Sequence, residues 1–528
     1  MRETMATNKI TLICKKIIPI LILFGASLTS IGSSPLYRTN PWVDSNAMLT
    51  MGRSLLHGLI PFKDIIEQRG PFLYAIYAGA AAIKETSFLG LFILQVFNLF
   101  IIYWISYKIA KDLKPVFLSP EWIALLGPLA LISTSSFSFS GAPEEFAFGS
   151  ILYLLYILNH WHYNVLEIPL SSFFLLGLNL SLVFWNKYSL IGTFVFFFIW
   201  VAGAFLYNRQ FLKLCQVICF SVLGFLSISS IIILFFTVNG AFLDLIHIYF
   251  VQNMTAYGQT DTSILARLWQ LLYLISKAFR THYIIIIIIT LSWVKALYQK
   301  IDIKIELIIF LGSLIFLAMP HWIINYYNLI WMPFFALALM RLASSDCSVQ
   351  VENHISKFSA KFLIVSALIF LPFINNQDLN RLVIRGETQA INGNKYRAQL
   401  TLAKQIRTNL HKGHQPSLIV INNIDPGFYL TTQTIPKTQY WHRMNMTYQQ
   451  LPSMYQSFEN IMAKKKVDFV IVRLRVQPKS EIRELTNQIN VAIDPSLRKA
   501  LWKNYEIKSV SQNSKDESYV LLIQDLTE

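Results

Sequence analysis

NPWVDSNAMLTMGRSLLHGLIPFKDIIEQRGPFLY, residues Asn40–Tyr74, follows the first hydrophobic segment of the chain and is too polar to lie in hydrocarbon. It carries Asp44, Arg53, Lys63, Asp64, Glu67 and Arg69, while Met48, Leu49, Met51, Leu55, Leu56 and Leu59 recur at roughly helical spacing. Such a segment can lie along a membrane surface with its charges turned to water. A carboxylate just outside a bilayer suggests chemistry on a membrane-delivered substrate. An ordinary solvated loop is the plain alternative, and this stretch alone does not separate the two.

The whole chain supports a membrane setting. Of its 528 residues 54% are hydrophobic and 14% charged, with a mean hydropathy of +0.46, a composition far from the soluble norm. The formal charge of +16 raises nucleic acid as a partner. The basic residues, however, lie mostly between hydrophobic runs and in the last third, with no Arg-rich stripe or zinc spacing. No nucleic acid is expected; membrane lipids and phosphates are the expected anionic partners. Cys14, Cys215, Cys219 and Cys347 form no even disulfide framework and no metal-ligand spacing with histidine. Lys15 and Lys16 before the apolar run from Ile17 resemble a signal sequence, but no convincing small-residue cleavage site follows, and the segment reads as an uncleaved anchor.

A membrane span needs roughly 17–25 mostly apolar residues. Segments 13–33, 88–108, 120–140, 145–160, 168–185, 188–207, 213–236, 281–298, 305–320, 327–343 and 358–374 meet or approach that criterion, giving about eleven transmembrane helices. Segment 71–83, PFLYAIYAGAAAI, is short and Gly/Ala-rich and reads as an interfacial or re-entrant helix. With the N-terminal lysines inside, parity places Lys108, Lys111, Lys114, Arg209, Lys213, Lys295, Lys300, Lys304, Arg341, Lys357 and Lys361 inside as well, as the positive-inside rule requires. Asp44, Glu144, Glu145, Lys187, the 237–263 loop, His321, Tyr326 and Tyr327 then all fall on the outer side. Ionisable groups at span ends are costly unless they line a wet cavity or bind something, so this gathering implies an outward-facing site.

From about Asn375 the long apolar runs stop. Strand-like runs at Ser417–Ile421, Asp468–Val472, Tyr505–Val510 and Ser518–Ile523, with helix-like segments at Lys395–Leu410 and Leu451–Lys465, predict an α/β domain. The expected organisation is a transmembrane domain over 1–374, with its first outer loop at 34–87, and a soluble, extracytoplasmic α/β domain over 375–528.

The arrangement resembles the type C fold glycosyltransferases, polytopic enzymes that take a sugar from a polyprenyl-phosphate lipid on the extracytoplasmic face and include the protein O-mannosyltransferase and aminoarabinose transferase families. The resemblance rests on Asp44, on Gly58-Leu59-Ile60-Pro61-Phe62-Lys63-Asp64, and on Arg69-Gly70-Pro71-Phe72-Leu73-Tyr74. Similar bacterial sequences place a lysine where this chain has Arg69, which keeps the charge but alters the geometry of a phosphate contact. Further matches are Ala142-Pro143-Glu144-Glu145-Phe146, Trp185-Asn186-Lys187, and the run from His321 to Tyr327.

The resemblance implies a hexosyl- or pentosyltransferase of the bacterial cytoplasmic (inner) membrane. It would move a sugar from a polyprenyl-phosphate donor to an envelope glycan or lipid-linked acceptor. Transfer requires the acceptor hydroxyl to lose a proton, and a carboxylate is the natural base. By the family's pattern Asp44 takes that role and a single displacement inverts the anomeric carbon; an N-cap for the helix beginning at Ser45 is the alternative reading. Lys187 and Arg69 are candidates to bind the leaving phosphate, or else snorkelling side chains. Glu144 and Glu145 would orient the acceptor or, with Asp44, hold a divalent cation, which the sequence does not require. Asp64, His321, Tyr326 and Tyr327 are further substrate-binding candidates, although tyrosines are expected at a membrane interface anyway. The alternative function is a polytopic transporter or flippase of lipid-linked glycans, against which stands the lack of internal repeats and of charges near the midplane.

Overall fold

A computed structural model describes residues 16–37, 40, 42–116, 118–138, 140–256, 263–318, 324–344, 366, 397–409, 415–514 and 516–525. His321 and the candidate span 358–374, apart from residue 366, lie outside the described residues. The chain divides into two compact units, one drawn from Met1–Ser34, Leu94–Ile232 and Thr260–Arg385, the other from Pro35–Ile93, Ile233–Gln259 and Gly386–Glu528.

The described residues include two helices long and apolar enough to cross a membrane, Leu89–Asp112 and Phe211–Val238, or three spans if a bent pair is counted. At 1.5 Å per residue these helices are about 36 and 42 Å long, more than the roughly 30 Å of a hydrocarbon core. Ile18–Ser30, Leu170–Asn186 and Gly192–Tyr207 are apolar but shorter.

Two expected spans have a different form. Segment 120–140 is broken into helices Pro120–Ala124 and Leu126–Ile132, followed by a 3-10 turn at Ser135–Ser138. Pro128 has no N–H to give the Ala124 carbonyl, and the serine-rich run after Ile132 competes for backbone partners, so one straight helix is not supported. Before 281–298 the chain forms a further helix, Ile264–Thr281, and turns by 93° into Tyr283–Tyr298. Arg267, Lys277 and Arg280 make the earlier helix amphipathic, and its Leu265, Leu268, Trp269, Leu272 and Tyr273 are exposed along one stripe, the pattern of a helix lying in a membrane interface.

Within this first unit, residues from several helix ends meet one another. Glu306 pairs with Arg341 at 2.9 Å and accepts from Tyr163 Oη at 2.7 Å and Trp293 Nε1 at 2.7 Å. Glu306 and Arg341 are almost fully buried. Breaking such a pair from one side would leave an uncompensated charge, at a cost of about 3–5 kcal/mol.

The second unit holds a four-stranded sheet in the order β1-β2-β4-β3. Its strands are β1 (Leu418–Val420), β2 (Phe469–Leu474), β3 (Tyr505–Ser514) and β4 (Glu517–Gln524). β1 and β2 pair in parallel, with Leu418 opposite Phe469, while β4 runs antiparallel to both β2 and β3. Val470, Ile471 and Val472 are fully buried, as expected for a strand covered on both faces. Helices Arg397–Thr408 and Pro452–Ala463 coincide to within a few residues with the helix-like segments read from the sequence. Helices Ile482–Ala492 and Arg498–Asn504, which the sequence reading did not assign, lie between β2 and β3.

The same unit contains helices Val43–Leu56 and Pro71–Ile83, packed against each other. The thirteen residues of Pro71–Ile83 reach only about 20 Å, too short to cross a bilayer upright. The contact depends on Gly52, where a Cβ would lie 2.3 Å from the Tyr77 carbonyl carbon. Gly52→Ala is therefore expected to destabilise the protein by about 1–3 kcal/mol through overpacking, read as a lower Tm of the purified protein in detergent. An unchanged Tm would show that the two helices separate at no cost.

Candidate active site

The quoted stretch folds around the start of helix Val43–Leu56. Its N-cap is Trp42, with no side-chain cap bond, so Asp44 lies inside the first turn and does not cap the helix. Asn40 Oδ1 accepts from Trp42 N, and Asn46 Nδ2 donates to the Asn40 and Trp42 carbonyls at 3.0 and 2.9 Å. Those bonds fix the helix entry and leave Asp44 to another partner. A negative charge in the first turn is also favoured by the helix dipole.

That partner is Arg69, whose Nη2 lies 2.7 Å from Asp44 Oδ2. Arg69 Nη1 pairs with Glu67 Oε1, and the Arg69 backbone N–H donates to Glu67 Oε2 at 3.0 Å. Tyr74 Oη donates to the Glu67 carbonyl at 2.9 Å. One guanidinium thus bridges two carboxylates, with Asp44 only 6% and Glu67 1% exposed. Burial pushes the Glu67 carboxyl up, with Arg69 acting in the opposite direction. The carboxylate of Asp64 holds its own turn by accepting from Ile60 N at 2.7 Å, beside Phe62 in the left-handed region at φ 71°.

The C-terminal part of the unit packs onto this stretch. Arg53, on the helix that carries Asp44, is 2% exposed and donates from Nη1 to the Tyr429 and Thr434 carbonyls at 3.0 and 3.2 Å. Gly427, at φ +113°, approaches so closely that a Cβ there would lie 2.7 Å from Asn46 Oδ1. Ile66 N donates to the Gln439 carbonyl at 2.9 Å. Asp425 accepts from the backbone N–H groups of Gly427, Phe428 and Tyr429. His442 is buried beside Trp441 and within reach of the Arg69 charge.

In the first unit a second charged group forms where helix Pro143–His160 begins. Glu144 Oε1 lies 2.6 Å from Lys187 Nζ, and Lys187 lies over the Tyr327 ring at 3.7 Å and 5.8 Å from the Tyr326 ring. Asn186 Nδ2 donates to the Pro143 carbonyl at 2.6 Å and ties the two helix ends together. Glu144 is fully buried, and among the described residues its Oε2 has no hydrogen-bond partner. Glu145 instead accepts from Gln95 Nε2 at 3.0 and 3.1 Å and from Gly141 N at 2.5 Å.

The residues singled out from the sequence therefore gather as Asp44 with Arg69, and as Glu144 with Lys187, Tyr326 and Tyr327. Asp64 and Glu145 have local hydrogen-bonding roles in the structure. Glu67, Gln95 and His442 were missed. A carboxylate two residues before Arg69 was a legible sign for Glu67, whereas nothing in the sequence around Gln95 or His442 marks either. Among the described residues no group of three or more His, Cys, Asp or Glu side chains gathers as metal ligands.

No protein-family model matches the chain, and comparison with curated proteins finds no match. Solved structures do match. ArnT from Cupriavidus metallidurans bound to undecaprenyl phosphate aligns over 98% of this chain and 98% of its own, with TM-score 0.55 and 11% identity. The apo state of the same protein gives TM-score 0.56 and 10% identity over the same shares. An oligosaccharyltransferase from Archaeoglobus fulgidus matches at TM-score 0.44 and 11% identity, over 94% of this chain and 74% of that one, too distant to carry an argument. The chain shares the fold of the ArnT structures, the type C glycosyltransferase fold.

Asp425 provides a test of the packing around Arg53. Burial pushes its carboxyl from 3.8 up to about 6, opposed by three backbone N–H groups and the Arg53 charge. Because the folded value is raised, the folded chain holds this proton more tightly than the unfolded chain. The stability it contributes is complete below about 3.8 and is lost as pH rises through about 6. Asp425→Asn removes that titration. Relative to wild type the variant should gain on the order of 3 kcal/mol between about pH 4 and pH 7, measured as the difference in unfolding stability; a difference independent of pH would contradict the assignment.

Proposed function

We propose that this protein is a multi-pass glycosyltransferase of the bacterial cytoplasmic membrane, moving a sugar from a polyprenyl-phosphate donor to an envelope glycan or lipid-linked acceptor. The observation that carries the reading is the Asp44–Arg69 ion pair in a chain with the type C fold; the loop that holds it is proposed to lie on the outer side. ArnT binds undecaprenyl phosphate in one of its structures, which supports a lipid phosphate as the donor's carrier here. The proposed organisation has about eleven spans within 1–374 and an extracytoplasmic domain over 375–528, with the active site on the same side.

Asp44 is the proposed general base. It takes the proton of the acceptor hydroxyl as that oxygen bonds to the anomeric carbon; the bond from that carbon to the phosphate oxygen breaks, and the phosphate leaves with the electron pair. One displacement of this kind inverts the anomeric centre. Arg69 orients the Asp44 carboxylate through a charged hydrogen bond and presents a planar cation suited to phosphate oxygens. Lys187, seated between Glu144 and Tyr327, is a further proposed phosphate-binding cation, and Glu144, with one oxygen on Lys187, is a proposed acceptor contact. No step requires a metal.

Purified protein supplied with defined polyprenyl-phosphate sugars and candidate acceptors tests this reading. Asp44→Asn keeps the shape and is expected to lower transfer by about 10²–10⁴-fold; undiminished transfer would remove Asp44 as the base. Substrate flux across vesicles without any transfer would instead favour a transporter. Sidedness is checked in a background without the native cysteines. Ser480→Cys should label from outside the cell membrane and Lys300→Cys should not, and the reverse pattern would invert the topology.

A further inference from the structure

His442 is 1% exposed, and among the described residues neither ring nitrogen has a hydrogen-bond partner. A buried polar group in that condition is costly, and a phenylalanine or leucine would fill the space without the penalty. The backbone fixes where the ring sits. Val420 N donates to the Trp441 carbonyl at 3.1 Å and Arg443 N to the Val420 carbonyl at 2.9 Å, so 441–443 lies alongside β1, with Val420 and His442 bridged in parallel. Upstream, the Gln439 carbonyl accepts from Ile66 N at 2.9 Å, and Gln439 Nε2 donates to the Lys63 carbonyl at 3.0 Å. The segment carrying His442 is therefore tied to the loop that carries Glu67 and Arg69.

The chemistry of the missing partner follows from the surroundings. Trp441, with its ring centroid 3.9 Å away, offers packing, and among the described residues its own indole nitrogen also lacks a partner. Burial, followed by the Arg69 charge, pushes the imidazole down to about 3, so it is neutral near pH 7, with one N–H to donate and one lone pair to accept. A second cation would be repelled by the Arg69 guanidinium. An anionic oxygen is attracted to that guanidinium and accepts from the imidazole N–H, which suits both groups.

We propose that His442 contacts the phosphate of the lipid-linked substrate, donating a ring N–H to a phosphate oxygen beside Arg69. This rests on the polyprenyl-phosphate reading above and extends it, because it brings a residue of the C-terminal part of the chain into the donor site. His442 forms and breaks no covalent bond in this role. It raises affinity for the phosphate and leaves proton transfer to Asp44.

The test is a titration of the full-length protein, in lipid nanodiscs, with undecaprenyl phosphate. His442→Phe should weaken binding about tenfold, the loss of one charge-assisted hydrogen bond, while Tm stays level or rises because an unpaired polar group has been removed from the interior. His442→Asn, which keeps an N–H donor, should recover part of the affinity. If the Phe variant does not fold, His442→Leu reads the same quantity. Wild-type affinity in the apolar variant, alongside weakened binding by Arg69→Gln, would overturn the proposal and leave the donor reading standing. Absence of saturable binding by the wild type would overturn both.

Discussion

A guanidinium shared by two nearly buried carboxylates is the constraint on which the proposed site depends. Carboxylates taken out of water need a compensating charge and hydrogen bonds, and Arg69 supplies both to Asp44 and Glu67. The contacts form a closed circuit. Glu67 is held by the Arg69 backbone and by Tyr74, Tyr74 belongs to helix Pro71–Ile83, and that helix packs on Val43–Leu56, which carries Asp44. A shift of any member moves the others, so the position of the proposed base is set by packing as well as by charge.

The C-terminal part of the same unit adds a second set of restraints to the Asp44 helix. Arg53 is sequestered from water and bonded to carbonyls of Tyr429 and Thr434. Asp425 organises the turn that presents those carbonyls. Asn46 is already committed to Asn40 and Trp42, so it cannot yield to a side chain larger than that of Gly427. Groups gripped in this way lose little further freedom when a substrate binds, which is how a preformed site favours its reaction.

Much of this was legible from local pattern. Short apolar runs marked the strands, and the residues named by the family motifs meet in pairs, Asp44 with Arg69 and Glu144 with Lys187; the exclusion of 71–83 from the spans belongs to the proposed topology. Long-range contacts were not legible, because no periodicity records them. Arg53 and Tyr429 are 376 positions apart, and His442 sits in a segment whose importance comes from its neighbours in space. The break in 120–140 escapes a reading by hydropathy alone, which does not register Pro128. The helix Ile264–Thr281 was overlooked because an amphipathic interfacial helix is too charged to register as a span.

In the proposed reaction Asp44, as base, makes transfer a single displacement at the anomeric carbon. The most direct measurement is the anomeric configuration of the transferred sugar, read by NMR on product made from a polyprenyl-phosphate donor of known configuration. Inversion is the predicted result; retention would require a covalent intermediate or a second displacement and would contradict the account.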